Sequence, residues 1–348
     1  MSENNKAVGI MGYGVYVPWR RLKTEDLTKA WGVQAAGIAE LSVTAPDEDA
    51  ITMAIEASSN AIKHAGLEPY KVDALIFGAE LKPYSVKPSS TVIAEALGLM
   101  PKSATFDIEF SCKSDVSALN VGISLVKSGL AEHCLVIGCG VPQGQPSDEQ
   151  EALTSAGAAA CVISEKDNSI AYFEDTYSNT RDIPDMWKRE GDRYIRHGWR
   201  YESDIGYAEH ITSAVREFLE KMAFKTTDIN HVIFYQPDGR LPLGLGKTLG
   251  FTDNQLTAGL IVSLIGNVRS GSILLGLSAV LDKAHPGDRI LVASYGTGGG
   301  SDVFSLVVQE KILERRGKAP TFESIINRKK YIDYITFLKF NERLRKGG

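Results

Sequence analysis

The chain of 348 residues repeats one order of patterns in its two halves, and this duplication constrains the fold more than any single motif. In each half an amphipathic helical pattern leads to an apolar strand, and a second helical pattern and two further apolar strands follow. The predicted strands are VDALIFGAE, CLVIGCG and AAACVIS in the first half and INHVIFYQP, RILVASYG and DVFSLVV in the second. Strands that are apolar throughout and alternate with helices are typical of buried parallel or mixed sheets. The repeat therefore predicts a layered, duplicated α/β fold.

The two halves are separated by a stretch of different composition. We expect a first half over residues 1–168, an insertion or cap over 169–205, and a second half with a basic tail over 206–348. The middle stretch is polar, aromatic and irregular, and aromatic-rich loops usually pack onto a domain. The basic, amphipathic tail is typical of a surface helix, or alternatively of a segment that docks onto a partner.

Charge and composition exclude several classes of function. A net charge of −5 gives no basic surplus of the kind that nucleic-acid binders carry. There is no run of eighteen apolar residues and no signal-peptide pattern at the N-terminus, so we expect a cytoplasmic protein without a membrane segment. The four cysteines lack the spacing of a structural zinc site, so neither a metal nor a disulfide framework is expected.

Cys112 has the most informative context of the four cysteines. In FDIEFSCKSDVSALNVG a strand pattern runs into a helical pattern, and Cys112 lies at the junction. Backbone N–H groups and the helix dipole at such a position favour the thiolate and can stabilise an oxyanion. We therefore consider Cys112 a candidate nucleophile, with a packing role as the alternative. Packing is the prediction for Cys134, Cys139 and Cys161.

The repeat also proposes which residues meet at one site. Superimposing the halves places Cys112 and Asn267 at corresponding helix starts, and Glu80 and Tyr235 at corresponding strand ends, where ligands of α/β sheets bind. Near apolar walls, Glu80 would have a raised pKa suited to proton transfer; the alternative is a solvated carboxylate. The segment VASYGTGGGSD lacks phosphate-loop spacing and predicts a tight turn that approaches a ligand or the nucleophile.

Several stretches, in order and over nearly the whole chain, resemble a known family. They include GAELKPYSVKPSST, DIEFSCKSD, LTSAGAAA, FYQPDGRLP, IGNVRSGS and SYGTGGGSD, and they resemble the archaeal-type 3-hydroxy-3-methylglutaryl-CoA (HMG-CoA) synthases of the thiolase superfamily. The resemblance implies the thiolase-like duplicated fold, five-layered α-β-α-β-α. It also implies Cys112 as the acyl-accepting cysteine, Glu80 as the acid/base, and Asn267 as a residue that holds the second substrate's carbonyl.

One position of this chain departs from the family pattern. The family usually reads FHQP or FHMP where this chain reads FYQP, so Tyr235 occupies the position of the histidine. A tyrosine hydroxyl can donate one hydrogen bond, but it cannot serve as a base at neutral pH. Leu81 and Lys82 also replace the family's Ser-His. The resemblance therefore implies a retained nucleophile in an altered pocket.

The leading functional prediction is an acyl-CoA acyltransferase that forms or cleaves a C–C bond through an S-acyl intermediate on Cys112. Tyr235 and Asn267 would stabilise an enolate or oxyanion. One alternative is thiolase-like retro-Claisen cleavage of a 3-oxoacyl-CoA, with a bulky or aromatic acyl group, in a two-component complex. The other is a non-catalytic CoA-binding scaffold.

CoA thioesters are the expected substrates, and no separate cofactor is expected. Arg21, Arg240 and Lys247 are candidates for binding CoA phosphates, with an ordinary solvated charge as the alternative for each. By analogy with the family we expect a homodimer that buries strands beside the nucleophile. The resemblance further implies a zinc-ribbon/OB-fold partner protein and an associated thiolase as possible partners.

Overall fold

The computed structural model describes residues 6–99, 101–198 and 202–341. Their β-strands are β1 (Val8–Tyr16), β2 (Arg20–Lys23), β3 (Glu40–Val43), β4 (Ala74–Ala79), β5 (Ala104–Ile108), β6 (Cys134–Gly140), β7 (Gly157–Glu165), β8 (Ala171–Thr180), β9 (Met186–Trp187), β10 (Arg196–His197), β11 (His231–Phe234), β12 (Arg289–Ala293), β13 (Gly300–Val308) and β14 (Lys330–Tyr331). Their α-helices are α1 (Thr24–Trp31), α2 (Ala50–Ala65), α3 (Ser89–Ala96), α4 (Ser114–Lys127), α5 (Glu149–Leu153), α6 (Glu209–Met222), α7 (Leu241–Thr248), α8 (Asp253–Thr257), α9 (Val262–Ile265), α10 (Ser272–Leu281), α11 (Lys311–Arg315), α12 (Phe322–Ile326) and α13 (Tyr334–Phe340).

The main sheet repeats one topology on either side of its centre. Its strand order is β11-β12-β13-β8-β1-β7-β6-β4-β5. In the first half β4 is parallel to β6, β6 is antiparallel to β7, and β7 is antiparallel to β1. In the second half β11, β12, β13 and β8 follow the same scheme. The predicted duplicated α/β fold is confirmed.

The two halves of this sheet form separate layers with helices between and outside them. β1 and β8 share only the pairs Gly9 with Tyr172 and Ile10 with Ala171, so the halves diverge after a short junction. The helices α4 and α10 lie between the halves, α2 covers the first half and α6 covers the second. Every residue of α10 is buried, as expected of an apolar helix between two sheets. The five-layered α-β-α-β-α architecture is confirmed.

Close packing of α2 on β1 explains two glycines of the first strand. α2 begins with a capping box between Asp49 and Thr52. A Cβ on Gly12 would lie 2.4 Å from the Ala65 nitrogen, and one on Gly14 would lie 2.3 Å from the Ala61 nitrogen. Only glycine allows the helix and the strand to approach so closely. The first strand is thereby fixed against the outer helix layer.

The segment predicted as an insertion is shorter than expected. Residues 171–180 form β8, a full strand of the main sheet that pairs with β13 and β1. Its sequence AYFEDTYSNT looks irregular because its side chains after Phe173 are only half-buried or exposed, so most of them are polar. Only residues 181–198, called the cap below, leave the sheet, and they contain the hairpin of β9 and β10. Residues 199–201 of the predicted cap and 342–348 of the predicted tail lie outside the described residues.

Membrane-spanning helices and metal-binding clusters are both absent from the described part of the chain. None of its helices combines the length and the apolar character that crossing a bilayer requires. None of its groups of His, Cys, Asp and Glu side chains is arranged to hold a metal ion.

Candidate active site

Cys112 lies in the tight turn between β5 and α4. Ser111, which precedes it, has a φ of 41°, a strained backbone conformation that is common at functional sites. The Cys112 side chain is fully buried, and its Sγ lies 3.1 Å from Oγ1 of Thr297 in the Gly-rich loop. The sequence-based placement of Cys112 between a strand and a helix therefore agrees with the structure. The other three cysteines are also free and buried.

The expected lowering of the Cys112 pKa is contradicted. Burial raises the pKa of the Cys112 thiol to about 11, while the charge of Arg269 and hydrogen bonds from Thr297 and Tyr235 act in the opposite direction. Helix α4 begins at Ser114, two residues after the cysteine. Desolvation of the thiolate therefore outweighs the influence of the helix end.

Asn267 and Tyr235 form a hydrogen-bonded pair beside the cysteine. The Oδ1 atom of Asn267 accepts the backbone N–H of Arg269 at 2.7 Å, which fixes the orientation of the amide. Its Nδ2 consequently donates to the Tyr235 hydroxyl at 3.0 Å. This leaves the hydroxyl proton of Tyr235 available to Cys112. Burial raises the pKa of Tyr235 well above its usual value, so this residue acts as a neutral hydrogen-bond donor.

Glu80 is held close to the cysteine turn by three donors. It accepts from Nε of Arg269 and Nε2 of Gln143, each at 2.8 Å, and from Oγ of Ser270 at 3.1 Å. The same Ser270 hydroxyl lies 2.7 Å from the carbonyl oxygen of Ser111, beside the nucleophile. The expectation of apolar walls around Glu80 is thus wrong: its surroundings are polar and include a buried positive charge.

Sequence reasoning missed Arg269, although it lies at the centre of the site. Its side chain is 2% exposed, and its backbone has a φ of 51°. A signal was present in the sequence: Arg269 is the only charged residue between Asp253 and Asp282. A lone charge in such an apolar stretch has to be paired or functional when it is buried.

Two cavities meet at Thr297, the residue in contact with the Cys112 sulfur, whereas Cys112 itself lines neither of them. The first, of about 240 Å³, is called the tyrosine-side cavity; its lining includes Tyr207, Tyr235, Leu241, Asn267 and Thr297. The second, of about 460 Å³, is called the arginine-side cavity; its lining includes Glu80, Met186, Trp187, Arg269 and Thr297. Thr297 and Met186 line both cavities. The buried Cys112 sulfur therefore lies behind a threonine at which a ligand from either side can arrive.

A third cavity continues the tyrosine-side cavity to the surface. This outer groove, of about 750 Å³, lies between α6 and α7 and shares Tyr207 and Leu241 with the tyrosine-side cavity. Its lining includes the exposed cations Arg216 and Arg240. The carboxylates Glu209, which is ion-paired with Arg181, and Glu217 also line it, so the groove offers two arginine side chains beside two carboxylates at the outer end of the tyrosine-side cavity.

The cap is fastened to the Gly-rich loop by one buried carboxylate. Asp185 accepts a hydrogen bond from the Tyr295 hydroxyl and another, at 2.6 Å, from the backbone N–H of Gly298. Met186 and Trp187, which follow Asp185, line the arginine-side cavity. The cap therefore forms one wall of the site and is held in register with Thr297.

The three candidate CoA-binding cations have different environments. Arg21 is completely buried, bonds to the carbonyls of Pro18 and Ile326, and lies 3.4 Å from Glu40, so it is not available to a phosphate. Its neighbour Leu22 is buried too, so both faces of β2 are covered at this point and Arg21 is removed from solvent. Arg240 lines the outer groove. Lys247 is exposed on α7 and lies 3.2 Å from Asp253.

Family models and solved structures agree with this architecture. Residues 106–180 match the model for 3-oxoacyl-[acyl-carrier-protein] synthase III, and residues 219–309 match the model for its C-terminal part. The structure of MvaS in complex with 3-hydroxy-3-methylglutaryl coenzyme A superimposes with a TM-score of 0.88 at 23% identity, over 97% of this chain and 92% of that one. A 3-oxoacyl-[acyl-carrier-protein] synthase III from Aquifex aeolicus gives 0.78 at 24% identity, over 86% and 99%. These matches define the class of the fold, which is the thiolase-like α/β fold.

Relatives of higher sequence identity show which family with this fold the chain belongs to. The hydroxymethylglutaryl-CoA synthase of Pyrococcus furiosus is 45% identical over 335 residues, 96% of either chain. The hydroxymethylglutaryl-CoA synthase of Methanosarcina mazei is 42% identical over 97% of this chain and 99% of its own length. The chain belongs to the hydroxymethylglutaryl-CoA synthase family. The predicted enzyme class and family are confirmed.

Proposed function

We propose that this protein joins two CoA-bound acyl groups through an S-acyl intermediate on Cys112. The observation that carries the proposal is the convergence of Cys112 and Glu80 from the first half with Tyr235 and Asn267 from the second, beside two cavities that meet at Thr297. The relatives named hydroxymethylglutaryl-CoA synthase support C–C bond formation on CoA thioesters.

The first step transfers an acyl group to the enzyme. The Cys112 sulfur attacks the thioester carbonyl, the bond from carbon to the CoA sulfur breaks, and CoA takes up the proton that Cys112 loses. Arg269 and the hydroxyls of Thr297 and Tyr235 favour the thiolate against burial. The Tyr235 hydroxyl and the Asn267 amide provide donors for the oxygen that becomes negative in this step.

The second step forms the carbon–carbon bond. Glu80 removes a proton from the carbon next to the acyl carbonyl, the resulting enolate attacks a carbonyl of the second substrate, and Glu80 returns the proton to the alkoxide that forms. Water then cleaves the bond between the acyl carbon and Sγ of Cys112, which releases the product as a carboxylate and restores the thiol. The loop residue nearest the sulfur is Thr297, whose hydroxyl is no base at neutral pH. Glu80 is therefore the group to which we assign proton transfer.

Tyr235 acts here as a hydrogen-bond donor in the position where the family usually has histidine. Its buried hydroxyl, fixed by Asn267, can stabilise an enolate or oxyanion without exchanging its own proton. We assign acid/base work to Glu80 alone, which gives this chain one proton-transfer group where a histidine would provide a second.

The outer groove is the proposed CoA path. Arg216 and Arg240 lie where the phosphates would bind, and the pantetheine arm would pass Tyr207 and Leu241 toward Cys112. Lys247 belongs to α7 but lies outside the lining of the groove, so we assign it a weaker role.

Two incubations test the function and its direction. Acetyl-CoA with acetoacetyl-CoA should give an adduct on Cys112 and a condensation product; 3-oxoacyl-CoAs with free CoA should give no cleavage. Cleavage alone would support the retro-Claisen alternative. The absence of any adduct across a panel of acyl-CoAs would support the non-catalytic scaffold.

We also propose that the protein works as a homodimer. β5 is an edge strand of the main sheet, it leads directly to Cys112, and Phe106 on it is 42% exposed. An uncovered apolar edge strand favours pairing with a second copy. Association with a zinc-ribbon/OB-fold protein and a thiolase stays a prediction, which co-purification of the full chain would test.

A further inference from the structure

Arg269 brings a positive charge into the site, but some of its N–H groups have no acceptor. Its Nε donates to Glu80, Nη1 reaches only the sulfur of Met186 at 3.8 Å, and Nη2 has no hydrogen-bond partner among the described residues. A guanidinium has five N–H donors, and of the side-chain nitrogens of Arg269 only Nε has an oxygen acceptor among the described residues. The edge formed by Nη1 and Nη2 is therefore suited to an acceptor that the chain itself does not supply.

The arginine-side cavity, which this residue lines, is large for an acetyl group. Its volume of about 460 Å³ lies within the range of about 300–1,000 Å³ typical of small-molecule pockets. Leu81, Trp187 and Ile195 provide apolar wall between Thr297 and the rim. An acyl chain that starts at Cys112 thus has room for several carbons.

The charges along this cavity favour an anionic chain end. Arg269 is the buried cation, and Lys188 and Arg189 of the cap are exposed at the rim. The acidic residues Glu109 and Glu190 also line the cavity, but they are exposed to solvent at the same rim. A chain end that reaches the interior therefore meets Arg269, whose Nη1 and Nη2 are not used in its contact with Glu80.

We propose that the arginine-side cavity accepts an acyl group longer than acetyl whose far end is a carboxylate, bound by Nη1 and Nη2 of Arg269. The substrate class is thus the CoA monothioester of a dicarboxylic acid. Two parallel N–H donors match the two carboxylate oxygens, which is the geometry in which arginine binds carboxylates most strongly. This inference rests on the proposed function, because it assumes that Cys112 accepts acyl groups from CoA.

The covalent step is the acylation described above. With glutaryl-CoA, the bond between the acyl carbon and the CoA sulfur breaks, a bond from that carbon to Sγ of Cys112 forms, and the thiol proton leaves with CoA. The glutaryl carboxylate is unchanged and binds Arg269.

The test compares glutaryl-CoA with pentanoyl-CoA, which has five acyl carbons and no carboxylate. Acylation of Cys112 in the full-length protein is followed by intact-mass spectrometry, and kcat/KM is measured for each thioester. We expect a preference for glutaryl-CoA of about 10- to 100-fold, the range for hydrogen bonds to a charged group. Arg269→Gln should reduce this ratio to near one, and Arg269→Lys should give an intermediate ratio because lysine offers a point charge.

The ratio separates substrate choice from general loss of reactivity. The matched control Arg240→Gln should lower both rates equally and keep the ratio. An equal rate for both thioesters in the wild type, or an unchanged ratio in Arg269→Gln, overturns the inference while acylation still supports the proposed function.

A second measurement does not depend on acyl transfer to Cys112. Equilibrium binding of both thioesters to Cys112→Ala reports the same preference without acyl transfer, and equal affinities overturn the inference. No adduct from either thioester contradicts the proposed function instead. Thermal unfolding identifies variants that fail to fold, in which case Arg269→Lys decides the outcome.

Discussion

The guanidinium of Arg269 donates from Nε to Oε2 of Glu80 at 2.8 Å, and this buried ion pair joins the two halves of the chain beside Cys112. Arg269 lowers the pKa of Cys112 and Glu80 raises it, so the pair acts on the nucleophile with opposite signs. Removing one partner of a buried pair typically costs about 3–5 kcal/mol, because it leaves a charge without its counterion. Variants at either position therefore change both stability and cysteine reactivity.

Glu80→Gln should separate the two chemical steps. The amide oxygen can still accept from Arg269, so the fold and acyl transfer to Cys112 should persist. Loss of the only assigned base should lower the rate of condensation about 100-fold or more. Single-turnover acylation and steady-state product formation measure the two steps. Glu109→Gln, at an exposed glutamate of the cavity rim, is the matched control. A full loss of acylation in Glu80→Gln would contradict the assignment.

The reactivity of Cys112 should increase with pH far above neutrality. With the pKa raised by burial to about 11, about a thousandth of the thiol is ionised at pH 8. The rate of alkylation by iodoacetamide should thus increase about tenfold per pH unit from pH 7 to 10, because only the thiolate reacts. Glu80→Gln should shift the curve to lower pH, since Glu80 raises this pKa. A plateau below pH 9 at Cys112, read by peptide mass spectrometry, would refute this prediction.

Much of the fold was predictable because the apolar strands repeat in a fixed order. CLVIGCG was predicted as a strand and forms β6 with the same bounds, Cys134–Gly140. β8 was missed because its half-buried side chains include many polar residues, which do not resemble a strand of the core.

The site was predictable only where chain position implies spatial position. Glu80 and Tyr235 follow equivalent strands, so the repeat alone brings them together. Their electrostatic surroundings were not predictable, because the partner of Glu80 lies 189 residues away in the sequence. Arg21 likewise pairs with a residue of another strand, Glu40, so the sequence could not show that Arg21 is buried while its neighbour Arg20 is partly exposed.

Tyr235→Phe tests the hydroxyl that links Asn267 to Cys112. Without it, the Asn267 Nδ2 loses its closer acceptor and keeps the Pro237 carbonyl at 3.4 Å, and the nucleophile loses a donor that lowers its pKa. We expect kcat to fall about 100- to 1,000-fold, as for the loss of one oxyanion donor. Tyr207→Phe is the control, because the Tyr207 hydroxyl donates to the backbone carbonyl of Tyr235 and only helps to position that residue. The loss of kcat in Tyr207→Phe should be much smaller. Equal losses in both variants would indicate a structural role.

Arg240→Gln tests the proposed CoA path. Because Arg240 lines the outer groove far from the reacting carbons, its loss should raise KM for CoA thioesters about tenfold, the value of one charge-assisted hydrogen bond, with kcat little changed. Lys247→Gln, outside the groove and beside Asp253, should change KM less than twofold, an effect of about 0.4 kcal/mol. A larger effect at Lys247 than at Arg240 would move the phosphate site away from the outer groove.

The edge strand β5 leads to the last prediction, that Phe106→Asp converts a dimer into a monomer. The opposite edge of the main sheet, β11, is mostly buried, whereas β5 exposes Phe106. Two copies that pair along β5 would continue the sheet and cover this edge, and a new carboxylate there would meet its own copy across the two-fold axis. Light scattering of the wild type should give a dimer and that of Phe106→Asp a monomer. Leu313→Asp, at a 52% exposed leucine on α11, should remain dimeric. Because β5 ends at the turn that carries Cys112, the monomeric variant should also lose acylation activity; a monomer with full activity would show that the dimer does not support the site.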